Sequence, residues 1–203
     1  MRDYRRPFAL VSKEIPEEGQ QFKIQYSAYG KVVGSYVFKN SDSNLLIDID
    51  SDNVNGVAHA LEKENIGVND LYVIPSWEIP DAGEPMLETF LHRALWKRRA
   101  NVFQLLLQKG ANPRIKGHCH STVIDDLFDG HTSGENVLKF GKMLVDAGVK
   151  PEEIKKRVEG RKSMKEYKPY IRKLIHYAET KRSKVGHKGK IRSFISNLIR
   201  VKD

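Results

Sequence analysis

The N-terminal part of the chain alternates between apolar and polar residues in the way that strands do. Residues 22–26 alternate strictly, and residues 32–38 are rich in β-branched and aromatic side chains. Tyr29-Gly30 separates the two runs. Because a glycine-containing break between two such runs is typical of a turn, the pattern predicts a β-hairpin over residues 22–38.

Three shorter elements are predicted after this hairpin. The apolar run from Leu45 to Ile49 predicts a third strand, and Leu71 to Ile74 predicts another. Between them, apolar residues at helical spacing predict a helix capped by Ser51 or Asp52 and ending near Glu64. The four elements together predict a small α+β unit.

From Met86 onward the pattern changes to helices that end at glycine. The sequence GANP begins at Gly110 and GVKP at Gly148, and each follows a helix-like apolar run. A glycine suits the left-handed residue just past the end of a helix, and a proline three residues later prevents the helix from resuming. The two segments therefore indicate an internal repeat.

These segments resemble the ankyrin repeat. The sequence TFLHRA, which begins at Thr89, looks like the family's T-P-L-H-x-A helix start and lies 21 residues before Gly110. The next such position is Thr122, 33 residues after Thr89, which is the ankyrin period. The second repeat departs from the pattern, because Val123 and Asp125 replace the proline and the histidine and five extra residues follow.

The resemblance implies a short α-helical scaffold that binds another macromolecule by its concave face. It covers residues 86–151, and the helix-like sequence from Tyr167 to Thr180 is expected to act as a degenerate cap. Since two repeats are fewer than the roughly three that a solenoid needs, we expect the α+β unit to cover the other end. The expected buried positions are Leu91, Ala94, Leu95, Val102, Leu105, Leu106, Val123, Ile124, Leu127, Val137, Phe140, Leu144 and Val145.

We therefore expect an α+β chain in which a small N-terminal β-rich unit packs on, or is followed by, a short ankyrin-like α-solenoid. Residues 1–80 form the first domain and residues 81–180 the repeats with their helical cap. Residues 181–203 form a basic amphipathic tail.

The loop between the two repeats is the predicted protein-binding site. In such scaffolds the partner is contacted by hairpin tips and by side chains of the inner helices. Here the first tip has the sequence RIKGHCHS, over residues 114–121. The residues expected to contact a partner are Arg114, Lys116, His118, Cys119 and His120.

Two clusters in the sequence superficially resemble metal sites. His118-Cys119-His120 contains thiol and imidazole ligands, but a tetrahedral zinc site needs four ligands and this chain has one cysteine. The D-x-D-x-D sequence from Asp48 to Asp52 begins like a calcium loop, but its sixth and twelfth positions are Asn53 and His59. We therefore expect no metal, no cofactor and no catalytic residue, and the weaker alternative is an unrecognised enzyme in the N-terminal unit.

Charge is distributed unevenly along the chain. The net charge of +9 arises from residues 151–203, which carry 17 basic and 6 acidic side chains, whereas residues 41–90 have a net charge of −10. A single cysteine argues against a disulfide-stapled secreted fold. We expect a monomer in the cytoplasm of the producing cell or, for an effector, of the host cell.

The basic C-terminal tail has an amphipathic helical pattern. Its apolar positions recur at helical spacing: Ile191, Phe194, Ile195, Leu198 and Ile199. A helix of this type can pack on its own protein, enter a partner's groove or lie on an anionic membrane. Alternatively, the segment is a disordered translocation or localisation signal. The sequence leaves these alternatives open.

The sequence as a whole favours an ankyrin-type protein–protein interaction module whose partner it does not identify. Short ankyrin proteins with a private N-terminal extension are common among bacterial and viral effectors that act on host proteins. The alternative from another class is nucleic-acid or anionic-membrane binding through the basic C-terminal region.

Overall fold

The computed structural model describes residues 8–12, 24–28, 31–41, 43–64, 66–73, 87–117, 121–128, 132–159 and 162–181, and for residues 8–41 it describes the backbone alone. The chain divides into two compact units. The first unit is Met1–Leu127 and the second is Phe128–Asp203. The described elements belong to the α+β class, with an antiparallel sheet near the N-terminus and helices after it.

A sheet of five antiparallel strands lies in the first unit. The strands are β1 (Phe8–Ser12), β2 (Ile24–Ala28), β3 (Lys31–Ser41), β4 (Leu71–Val73) and β5 (Leu87–Thr89), and their order is β2-β3-β1-β4-β5. The hairpin predicted over residues 22–38 is confirmed as β2 and β3. The strand predicted at Leu71 is confirmed as β4. The sequence pattern did not predict β1, which pairs with both β3 and β4 and thereby connects the hairpin to the strands beside the helices.

The helices of the first unit come in pairs. They are α1 (Leu45–Asp50) with α2 (Val54–Lys63), α3 (Phe90–Trp96) with α4 (Ala100–Gln108), and the short α5 (Val123–Asp126) at the end of the unit. In the second unit α6 (Gly134–Asp146) and α7 (Pro151–Val158) are followed by a 3-10 helix (Lys162–Tyr167) and by α8, residues 168–181.

The strand predicted from Leu45 to Ile49 is wrong, because these residues form α1. The buried side chains are Leu45, Leu46 and Ile49, which share one side of a helical turn, and the Leu45 amide donates to Ser43 Oγ at 3.0 Å. A short apolar run has the same appearance in a buried strand and in a buried helix, so packing decides between them. The helix predicted to end near Glu64 is α2, but its cap is Asn53, whose side chain accepts a hydrogen bond from the Gly56 amide at 3.2 Å.

The same turn joins α1 to α2 and α3 to α4. Its middle residue has a left-handed φ in both cases, 57° at Asp52 and 58° at Arg98. Both amides donate to the carbonyl three residues earlier at 3.0 Å, and the next amides, of Asn53 and Arg99, donate to the carbonyl five residues earlier at 2.8 Å. The two pairs are therefore copies of one local structure, related by a shift of 46 residues.

The two pairs stack with α2 and α4 parallel. Asp52, at the start of α2, accepts hydrogen bonds from the Val102 amide at 2.9 Å and from Asn101 Nδ2 at 2.8 Å, both at the start of α4. Glu62, near the end of α2, accepts one from Lys109 Nζ at 2.5 Å, just after α4 ends. The first helices also meet in chain order, α1 with α3 and α3 with α5, and we call these three the inner helices.

Threonine begins two of the inner helices, and glycine follows two of the longer helices. Thr89 and Thr122 are both extended, and each Oγ1 accepts the amide three residues later at 3.3 Å. Gly110 and Gly148 both have a φ of +91°, which confirms the left-handed glycines expected at these helix ends. The amide after each glycine donates to the carbonyl five residues earlier at 2.9 Å.

In the second unit α8 lies against α6. A Cβ added at Gly134 would meet the Tyr170 ring, and one added at Gly141 would lie 2.6 Å from Leu174 Cδ1. Farther along, Asp146 accepts hydrogen bonds from the Tyr177 hydroxyl and from Lys181 Nζ. Residues later in α6 contact residues later in α8, so the two helices are parallel. Gly134 and Gly141, which have no side chain, allow the two helices to approach closely.

The core agrees with the predicted apolar positions. Eleven of the thirteen expected residues are buried, and Leu105 and Val145 are half-buried. Phe90 and Phe103, which are fully buried, were not on the predicted list. The predicted positions therefore identified the inward faces of α3, α4, α5 and α6 correctly.

The packing of α6 on α8 predicts an energetic coupling between Gly141 and Leu174. Leu174→Ala should lower the free energy of unfolding by about 2–5 kcal/mol. Gly141→Ala should lower it by about 1–3 kcal/mol through overpacking, and the better helix propensity of alanine should offset about 1 kcal/mol of that loss. In the double variant the new methyl group enters the space that Leu174 vacates. The loss of stability of the double variant, measured by urea unfolding, should therefore be smaller than the sum of the two single-variant losses by about 1 kcal/mol or more.

Gly148→Ala provides the matched control in the same unit. A Cβ there meets nothing within 4 Å, so its cost is backbone strain alone and should add to that of Leu174→Ala. Strict additivity in the Gly141 cycle would contradict the packing of α8 on α6.

Candidate protein-interaction site

The tip segment, residues 114–121, begins with a turn after α4 and returns to the start of α5. The Arg114 amide donates to Asn112 Oδ1 at 3.0 Å, and the Gly117 amide donates to the Ser121 carbonyl at 2.8 Å. Lys116 forms an antiparallel bridge with Thr122. The side chains of Arg114 and Lys116 are exposed. The predicted contacts His118, Cys119 and His120 lie outside the described residues.

His92 connects the start of α3 to this tip segment. Its side chain is 1% exposed, its Nδ1 lies 2.7 Å from Thr89 Oγ1, and a Cβ added at Gly117 would lie 3.2 Å from its ring. Its Nε2 is 3.9 Å from Asp126 Oδ2. The imidazole therefore has a structural position between a helix cap, the tip segment and α5.

Burial keeps this imidazole neutral. It lowers the pKa of His92 from 6.5 to about 4, although the Ser121 backbone and the Asp125 carboxylate act in the opposite direction. The ring is buried and neutral, and one of its nitrogens contacts Thr89 Oγ1, so a substrate cannot reach it. His92 therefore stabilises the site rather than acting in catalysis.

Arg93 is buried at the centre of the first unit. Its Nε and Nη2 donate to the two carboxylate oxygens of Asp50 at 2.7 and 2.6 Å, although the Arg93 side chain is only 6% exposed. Its Nη1 lies 3.4 Å from the hydroxyl of Tyr72, which donates to Glu88 Oε2 at 2.9 Å. Tyr72 also stacks on Phe90, with ring centroids 5.6 Å apart. This network joins α1, β4, β5 and α3.

The Tyr72 hydroxyl is held in its protonated form. Burial raises the pKa of Tyr72 well above 10, and the nearby Glu88 carboxylate adds to this effect. The hydroxyl therefore serves as a permanent hydrogen-bond donor to Glu88. Its location in the core gives it no access to a substrate.

The three acids of the D-x-D-x-D sequence all have protein partners. Asp50 binds Arg93, Asp52 binds the start of α4, and Asp48 Oδ1 accepts a hydrogen bond from Asn53 Nδ2 at 2.7 Å. Within the described ranges, no group of three or more His, Cys, Asp or Glu side chains is placed to hold a metal ion. These acids hold the helix pairs together.

Most of α3 is buried, and its main exposed side chain is Trp96. All residues from Phe90 to Leu95 are buried, whereas Trp96 is 46% exposed. In the part of the chain that the structure describes, Ile47 of α1, at 42%, is the other large exposed hydrophobic residue. In the 46-residue register Ile47 corresponds to Arg93 and Asp50 to Trp96. We call these four positions the inner-helix face.

Sequence reasoning missed Trp96 and Ile47. It gave Trp96 no role and included Ile47 only in the strand predicted from Leu45 to Ile49, although the run of basic residues directly after Trp96 is a signal that the helix ends at the surface. The tail positions Ile191, Phe194, Ile195, Leu198 and Ile199 lie outside the described residues, so their role stays a prediction. Among the described helices, none is long and apolar enough to cross a membrane.

Comparison of the chain with protein-family models, with curated proteins and with solved structures gave no match.

The low pKa of His92 predicts a loss of stability in mild acid. Above pH 6.5 the ring is neutral in both the folded and unfolded chains, but between 6.5 and about 4 only the unfolded chain takes up the proton. The free energy of unfolding should therefore decrease over this window by on the order of 3 kcal/mol from this group. Urea unfolding at a series of pH values measures the decrease.

His92→Gln separates this effect from the titration of carboxylates. The variant should be less stable at neutral pH but should lose less stability than the parent between pH 6.5 and 4. An NMR titration of the parent should give a pKa near 4 for the His92 ring. An ordinary pKa near 6.5 would contradict the buried position of this side chain.

Proposed function

We propose that this chain is an ankyrin-type repeat protein that recognises a protein partner without chemistry. The observation that carries the proposal is the recurrence of one helix–turn–helix structure at α1–α2 and α3–α4, with the left-handed residues Asp52 and Arg98 in the same turn. The 33-residue spacing of Thr89 and Thr122, both of which cap a helix, adds independent support.

The α1–α2 pair supplies the repeat that the motif pattern lacked. Stacked inner helices in the order α1, α3, α5, with α2 parallel to α4, are the arrangement expected of a solenoid. The first two pairs are 46 residues apart rather than 33 because β4 and β5 lie in the connection between them. In this proposal the sheet is an enlargement of an inter-repeat hairpin.

The proposed binding surface combines the inner-helix face with the tip segment. An aromatic side chain that is half exposed on a rigid helix is the type of residue that dominates protein interfaces, so Trp96 is the proposed anchor. Ile47 adds apolar area, and the tip supplies Arg114 and Lys116 with His118, Cys119 and His120. Arg93 itself is unavailable to a partner because Asp50 and Tyr72 already bind it.

The proposal extends to the setting in which the protein acts. A short repeat scaffold with its own N-terminal sheet fits an effector of bacterial or viral type that binds a host protein in the cytoplasm as a monomer. What supports this extension is the organisation of the chain alone.

The role of Trp96 is tested by affinity capture followed by titration of the purified partner. The full chain serves as bait, and a partner that binds the proposed surface should lose about tenfold or more in affinity on Trp96→Ala. Lys116→Glu should also weaken binding. Binding of the partner should persist in moderate salt, because an apolar anchor supplies part of the affinity.

Gln104→Ala is the matched control for this experiment. Gln104 is exposed on α4, the second helix of the same pair, and its truncation should leave the affinity unchanged. Circular dichroism establishes that each variant is folded. A partner whose affinity is equally insensitive to Trp96→Ala and Lys116→Glu would refute the proposed surface.

A further inference from the structure

The α8 helix of the second unit is strongly two-sided. Its buried side consists of Ile171, Leu174 and Ala178, which pack within the unit. The opposite side is exposed and mostly basic, although it also has one exposed acid, Glu179. It carries Lys168, Arg172 and Lys173, and Lys165 of the preceding 3-10 helix is exposed as well. We call Lys165, Lys168, Arg172 and Lys173 the α8 basic stripe.

The described part of the chain provides no carboxylate partner for the α8 basic stripe. Two other cations of this unit do have carboxylate partners, since Lys181 Nζ lies 2.5 Å from Asp146 and Lys155 Nζ lies 3.1 Å from Glu159. Among the described residues, the stripe makes one side-chain contact, in which Lys173 Nζ lies 5.6 Å from the centroid of the Tyr170 ring. Like charges one helical turn apart, such as Lys168 and Arg172, destabilise a helix through their mutual repulsion. An anionic ligand would remove this repulsion.

We infer that the α8 basic stripe binds the phosphodiester backbone of nucleic acid. Lys168 and Arg172 are separated by about 6 Å along the helix axis, and a DNA strand presents a phosphate about every 3.4 Å along its own axis. Lys168 and Arg172 can therefore contact about two neighbouring phosphates of one strand. A membrane surface fits less well, because the apolar side of α8 is buried and the large exposed hydrophobics among the described residues, Ile47 and Trp96, belong to the first unit.

The binding is independent of base sequence. Tyr170 and Tyr177 of α8 are half-buried, and the Tyr177 hydroxyl donates to Asp146, so neither ring is available as an open stacking platform. Contacts to phosphates without contacts to bases fix position but carry no sequence information. The expected affinity is moderate and falls steeply with salt, because each neutralised phosphate releases condensed counterions.

The test is fluorescence anisotropy of the full chain with a labelled DNA duplex of mixed sequence at a series of salt concentrations. In Lys168→Gln/Arg172→Gln, the slope of log affinity against log salt should become shallower by about 2, one for each lost phosphate contact. The affinity at low salt should decrease in parallel. Because both side chains are exposed, the melting temperature should change little.

Lys63→Gln/Lys109→Gln is the matched control. It removes the same charge from exposed positions of the first unit and breaks only the surface pair with Glu62, so it should keep the parent's salt slope. Trp96→Ala should also bind DNA normally, which separates this inference from the proposed protein partner. Equal slopes in the parent and in Lys168→Gln/Arg172→Gln, or equal losses in both double variants, would overturn the inference. Binding to phosphatidylserine vesicles but not to the duplex would overturn it as well.

Discussion

The first unit depends on the neutralisation of one buried cation. The Arg93 side chain is 6% exposed, and an unpaired charge at such a position would be strongly destabilising. Asp50 satisfies its guanidinium in a bidentate geometry, and Tyr72 adds a contact from the sheet. Because Asp50 belongs to α1 and Tyr72 to β4, the burial of Arg93 requires that α1 and the sheet both pack against α3. Asp52 then fixes the neighbouring helices by binding the start of α4.

This arrangement also determines which surfaces are available for function. The N-terminal elements cover most of α3, so the side chains left for recognition are at its end, on α1 and at the tip segment. The acids between Asp48 and Asp52 are engaged in holding helices, which removes the resemblance to a calcium loop. The two charged regions differ in their contacts. The acidic region includes residues that join helix pairs, whereas the exposed α8 basic stripe has no carboxylate partner among the described residues.

Local chemistry explains which features the sequence could predict. The left-handed glycines and the inward faces of α3 to α6 follow from spacing and from side-chain chemistry, and these predictions are confirmed. The run from Leu45 to Ile49 was misassigned because its conformation depends on long-range packing: α1 contacts α3, and Asp50 at the end of α1 pairs with Arg93, 43 residues away. The sequence analysis also missed the similarity of α1–α2 to α3–α4. The motif positions of the first pair carry Ser43 and Leu46, whereas the second pair has Thr89 and His92 there. Exposure of Trp96 depends on which neighbours cover α3, and a pattern of apolar residues does not contain that information.

The central claim is that α1–α2 is an integral repeat that is held to α3–α4 through Arg93. Hydrogen exchange of Asp50→Asn, compared with the parent chain, tests it most directly. The account predicts that protection falls together in α2, β4 and α4, including the amide of Val102 that Asp52 holds. Loss of protection confined to α1, with α3–α4 and β4 as well protected as in the parent, would contradict it.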